Sequence, residues 1–167
     1  MMKLMGMPVI LALSAAADKA VSNAAKDGFG VPLWVLGHYC WSSSANIGKF
    51  GYLCPMANTY NPRKQYVQLA QDCLHYLLGR NALDLCFVTG YGTRRTDVYS
   101  SVYGGSSVAF QPTPPGLIGG GVNQMESRGI SAWPAKNYRG DPNNWTLTEV
   151  AIYYNAPLVF LSGYFAR

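Results

Sequence analysis

The chain has 167 residues, of which 49% are apolar, 13% aromatic and only 13% charged, with a formal net charge of +5. That is long and apolar enough for one domain with a buried core, and it is not the composition of a disordered chain. The basic residues are scattered, the tightest groups being Arg63-Lys64 and Arg94-Arg95, so the stripe that tracks phosphates is missing and nucleic acid is not an expected partner.

The N-terminal stretch reads in two ways. Lys3, the apolar run 4–13 and the small residues Ser14 to Ala17 have the outline of a secretory signal peptide over 1–17. The same stretch also runs without a break into an alanine-rich helix that reaches Ala25, with 27–32 as its exit loop. No segment approaches the roughly 20 apolar residues that span a bilayer.

A helix is expected over 42–60, where Ile47, Phe50, Leu53 and Ala57 share a face, although Gly51 and Pro55 interrupt the pattern. The clearest element follows over 62–78. Asn61 is placed to cap it, Pro62 suits the first helical position, and Tyr66, Ala70, Cys73, Leu74 and Leu77 recur at helical spacing. Gly79 is a natural stop. The two helices, joined by a short loop, make a hairpin.

Cys40, Cys54, Cys73 and Cys86 contain no Cys-x-x-Cys pair and have only His38 and His75 for company, so neither a zinc site nor another cofactor is expected. Cys73, on an apolar helix face, reads as a small buried thiol, while disulfides stay open if the protein is exported. Between Gly104 and Gly121 half the residues are Gly or Pro, which makes a long loop. The apolar run 149–165 reads as a buried final helix, kinked or restarted at Pro157. Nothing alternates like a strand. The expected class is all-α, one domain over 1–167 with long irregular loops.

Three stretches in order resemble glycoside hydrolase family 9. Tyr76-Leu77-Leu78-Gly79-Arg80-Asn81, followed by Phe87-Val88-Thr89-Gly90-Tyr91-Gly92, is similar to the family's YLLGRNP…FVTGFG segment. Pro115 to Asn123 is similar to its PGLLVGGPN loop, with Val122 where proline is usual. Tyr138, Asp141, Trp145 and then Thr148-Glu149-Val150-Ala151-Ile152-Tyr153-Tyr154-Asn155-Ala156-Pro157-Leu158 resemble its acid signature. Gly30 to Leu33 and Trp41 to Ile47 add a looser match upstream. The resemblance implies the C-terminal portion of an (α/α)6 barrel, a β-1,4-glucan polysaccharide as partner, an inverting acid/base mechanism and an extracellular location. It also implies that the N-terminal part of the module is missing here, so that inter-helix faces stay open and this chain alone is inactive.

Inversion needs a carboxylic acid that protonates the leaving oxygen and a carboxylate that activates water on the opposite face. The resemblance makes Glu149 the acid, and Glu126 is the only other glutamate in the chain. The competing reading of Glu149 is a first-turn residue favoured by the helix dipole and completing a cap with an earlier threonine. Asp141, Trp145 and Tyr138 are the candidate substrate-binding residues. Tryptophan near such a site stacks on a sugar face, though core packing is its commoner role. Asn155 is expected to satisfy backbone groups without touching substrate.

The departures point the other way. No Asp-x-x-Asp pair occurs to supply the base, Gly140 replaces one of two usual aspartates, and Ser100 and Val102 stand where the family's histidine and arginine are expected. A non-catalytic carbohydrate-binding remnant of the same fold is therefore the alternative.

Overall fold

The computed structural model describes residues 2–33, 39–99, 113–126 and 131–166. Among these residues five α-helices run in order: α1 (Met2–Ala24), α2 (Ser43–Tyr60), α3 (Lys64–Leu77), the single turn α4 (Trp145–Thr148) and α5 (Ile152–Phe165). Among the described residues there is no strand, only isolated bridges pairing Cys86 with Arg95, Val88 with Ile118 and Tyr99 with Glu149.

α2 is the centre of the arrangement. It packs against α1, α3 and α5, and α3 in turn touches both α1 and α5. Gly51 and Pro55 do not end it. A Cβ on Gly51 would sit 2.9 Å from the Cβ of Cys73 and 2.8 Å from Cδ1 of Leu161, and one on Gly48 would be 3.0 Å from Cβ of Pro157. The glycines let three helix backbones approach closely, and that packing outweighs their poor intrinsic helix propensity. Leu161, fully buried at this crossing, contributes about 2 kcal/mol by leaving water.

The face foreseen for α3 is the buried one: Tyr66, Ala70, Cys73, Leu74 and Leu77 all lie in the core. Its start differs from the sequence expectation, because Lys64 is the first helical residue and Arg63 the cap position. Asn61 makes no cap there. Instead Asn58, near the end of α2, takes the Arg63 N–H on Oδ1 at 2.8 Å. Gly79 leaves the helix at φ 128°, a conformation open to glycine. In α1 the small residues Ala17, Ala20 and Ala24 face the core, and Asp27 Oδ1 then fastens the exit by accepting from the N–H groups of Phe29 (2.8 Å) and Val31 (3.3 Å).

A single helix over 149–165 does not form. The chain makes the α4 turn, passes Glu149 (φ −53°, ψ 143°) and Ala151 (φ −140°, ψ 152°) in extended form, and only then starts α5. Tyr99 is the reason: its N–H donates to the Thr148 carbonyl at 2.8 Å, and its carbonyl accepts the Val150 N–H at 3.2 Å. Pro157 sits inside α5, buried against Gly48. Large apolar side chains stay exposed on both outer helices, Met7, Val9 and Leu11 on α1 and Ile152, Tyr153 and Val159 on α5. None of the helices among the described residues is long and apolar enough to cross a membrane.

All four cysteines are free thiols, and Cys54, Cys73 and Cys86 are buried. Burial pushes the Cys54 thiol and the Tyr39 phenol each up to about 12. The Tyr66 phenol is likewise pushed up to about 12, first by burial and then by its 2.6 Å hydrogen bond to Asp18 Oδ1. These groups keep their protons in the folded state while the unfolded chain loses them. Their stabilising contribution is therefore complete below the ordinary thiol and phenol range and disappears as pH rises through about 12. Urea midpoints that fall steadily as pH is raised through this window are the expected result, with a shallower fall in Tyr66→Phe.

Candidate active site

The polar centre of the molecule is assembled by the loop 113–123. Its backbone pairs with 87–89: Thr89 N–H donates to Leu117, Gly116 N–H to Thr89 and Gly119 N–H to Phe87. The Thr89 hydroxyl also donates to the Pro114 carbonyl (2.7 Å) and accepts from Leu117 N–H (2.9 Å). Further along, the Gly120 carbonyl accepts Ser44 N–H at 3.0 Å, Gly121 N–H donates to the Leu147 carbonyl at 2.9 Å, and the Ser43 hydroxyl donates to the Val122 carbonyl at 2.7 Å. The loop thus ties the start of α2 to the α4 turn, which carries the residues of interest.

Glu149 lies just beyond that turn. Its Oε2 accepts two hydrogen bonds, from Trp41 Nε1 at 3.1 Å and from the Tyr154 hydroxyl at 3.1 Å. Because Glu149 is outside both α4 and α5, the reading of it as a dipole-favoured first-turn residue fails. Burial, followed by the neighbouring Tyr153 hydroxyl and the Glu149 carboxylate, pushes the Tyr154 phenol well up against a smaller opposite effect of Ser42, so it remains a neutral O–H donor. The indole of Trp41 lies 4.5 Å from that of Trp145, centroid to centroid, with the ring planes 58° apart. Both stay substantially exposed, at 40% and 43%. An ionisable oxygen acid therefore stands beside an open aromatic pair.

The other candidates are placed differently. Asp141 shapes the turn: its Oδ1 accepts Asn143 N–H at 2.9 Å and its carbonyl takes the Thr148 hydroxyl at 3.0 Å. Tyr138 is buried, its ring 5.1 Å from that of Phe87 and its hydroxyl hydrogen-bonded to Thr96. Asn155 does serve the backbone, with Oδ1 accepting Ile118 N–H (3.0 Å) and Nδ2 donating to the Ala151 carbonyl (2.8 Å). Ser100, Val102 and His38 lie outside the described residues. Among the described residues no group of three or more His, Cys, Asp or Glu side chains could hold a metal.

Trp41 and Tyr154 were not singled out from sequence as site residues. Trp41 is 108 positions from Glu149, beyond any local signal. Tyr154 is five residues on, which in an unbroken helix turns it to the far side. The extended step at 149–151 brings it back.

The helical fold with its carboxylate beside exposed tryptophans is that of a piece of an (α/α)6 barrel. A crystal structure of a metagenome-derived glycoside hydrolase family 9 endoglucanase superposes with a TM-score of 0.85 at 28% identity, over 98% of this chain and 29% of that one. Another family 9 endoglucanase gives 0.84 at 30% identity, over 95% and 30%. In sequence, a cellulose 1,4-β-cellobiosidase of Acetivibrio thermocellus is 30% identical over 165 residues, covering 91% of this chain and 18% of its own length. A cellodextrinase of Butyrivibrio fibrisolvens is 28% identical, covering 89% and 28%. The chain spans less than a third of the length of these relatives. The family model for glycosyl hydrolase family 9 matches residues 10–162. The chain belongs to glycosyl hydrolase family 9.

Proposed function

We propose that this chain carries the acid half of a glycoside hydrolase site for β-1,4-linked glucan, with Glu149 as the general acid and the reaction proceeding with inversion. The observation that supports it most is the placement of Glu149, on a non-helical step between two helices and against the exposed Trp41–Trp145 pair. Protonation of the bridging oxygen requires a carboxyl next to a surface that can seat a sugar, and tryptophan faces serve such seats. Trp145 and Trp41 are assigned to the sugar face. Asp141 acts through the turn that it holds, and Tyr138 through the packing beneath it.

The second carboxylate, which activates water, belongs to a part of the fold outside these 167 residues, since the chain has no Asp-x-x-Asp pair. A polysaccharide substrate and an extracellular setting go with this reading.

Replacing the corresponding segment of a family 9 endoglucanase by residues 10–162 restores a complete barrel for assay. Hydrolysis of a soluble β-glucan by the chimaera, with its loss in Glu149→Gln, is the expected result. The same absent aspartate pair favours one alternative, a non-catalytic glycan-binding unit. That unit would leave the chimaera inert yet still retained on a β-glucan affinity column.

A further inference from the structure

We propose that Tyr154 and Trp41 are positioning residues that determine which oxygen of Glu149 delivers the proton: both grip Oε2, which leaves Oε1 to carry it. This rests on the reading of Glu149 as the acid. The two donors come from different elements, Trp41 from the turn ahead of α2 and Tyr154 from α5, and each lies 3.1 Å from the same atom. An indole N–H can donate but has no lone pair to accept, so Oε2 facing it must be the unprotonated, accepting oxygen. The proton is then left on Oε1, free of both donors.

The arrangement also assists the transfer itself. As the Oε1–H bond breaks, its electron pair stays on the carboxyl group and the proton goes to the bridging oxygen. That oxygen keeps the electron pair of its broken bond to the sugar carbon. A water molecule, deprotonated by a second carboxylate, completes the sugar carbon. Negative charge grows on Glu149 in this step, and two fixed donors already point at it without reorganisation.

The backbone at Ser42 serves the same end. It holds φ 66° and ψ 32°, the left-handed region that non-glycine residues seldom adopt, directly after Trp41. The turn is thereby aimed so that the indole reaches across to the segment after α4.

Tyr154→Phe removes one donor and keeps the ring, and Trp41→Phe removes the other. Since Glu126 and Glu149 are the only glutamates, carbon-13 glutamate labelling of the full chain gives two sets of side-chain signals. In Tyr154→Phe the Glu149 side chain is expected to lose order and average over rotamers while Glu126 does not change, and an unchanged Glu126 shows that the fold is intact. In the Tyr154→Phe chimaera kcat on β-glucan should fall about tenfold to a hundredfold with KM nearly constant, the loss typical of one donor to a charged group. The same variant should hydrolyse an aryl glycoside whose leaving group needs no proton at the unmodified rate. Glu149 signals that keep their order in both variants, or equal losses on both substrates, overturn the proposal. The labelling arm needs no activity, so a Glu149→Gln chimaera that stays active, which would end the acid reading, and a failed positioning role give different outcomes.

Discussion

Glu149→Gln in the chimaera is expected to lower kcat on a soluble β-glucan by about 10²- to 10⁴-fold, the contribution of a positioned general acid. Glutamine keeps the shape of the side chain and can still accept on its amide oxygen from Trp41 and Tyr154. What it lacks is a transferable proton. The loss should therefore fall on chemistry and leave KM within a factor of a few. It should also depend on the leaving group: a dinitrophenyl glycoside departs as a stable anion and needs no proton, so its hydrolysis should survive the substitution. Equal losses on the two substrates would show that Glu149 only supports the fold.

Gly121→Ala is the substitution expected to damage stability most. Gly121 holds φ 92°, and a Cβ there would run into Ser44 Oγ while lying 2.8 Å from Ser43 Oγ and 3.0 Å from the Ser44 nitrogen. The left-handed backbone alone disfavours alanine by about 1 kcal/mol or more. The clash is with the first turn of α2, whose Ser44 N–H is committed to the Gly120 carbonyl, so neither side can move without breaking that bond. A loss of about 3 kcal/mol or more follows, read as a shift of the urea midpoint. Gly116→Ala is the control. It too has positive φ, at 91°, but nothing lies within 4 Å of its would-be Cβ, so it should lose only the backbone part.

Much of this fold was legible in the chain. The helical period of α3 and its terminal Gly79 rest on local chemistry, and the α2–α3 hairpin follows from two helices separated by three residues. What could not be read locally was decided by distant partners. Gly51 and Pro55 argue against a helix on propensity, yet α2 continues because Cys73 and Leu161 press against the position where a side chain would have stood. The end of the molecule argues for one helix, yet pairing with Tyr99 extends the backbone at Glu149. The site shows the same division. Glu149, Asp141, Trp145 and Tyr138 were visible as candidates through the motif that holds them, but that Tyr138 lies in the core and Trp41 beside Glu149 depends on contacts across dozens of residues.

The placement of the sulfur atoms turns this chain into its own folding probe. Cys54 of α2 and Cys73 of α3 are completely shielded in the helix pack, whereas Cys40 is partly accessible and accepts a weak hydrogen bond from Asn46 Nδ2 at 3.4 Å. An aromatic disulfide reagent should therefore modify Cys40 within the mixing phase of a stopped-flow run. Cys54 and Cys73 should follow together in one slow phase, since the helices must separate before either can react. With reagent in excess that phase reports the opening of the helix pack. In Gly121→Ala it should accelerate while the Cys40 burst keeps its amplitude, giving a clock for cooperative opening that needs no added dye or tag.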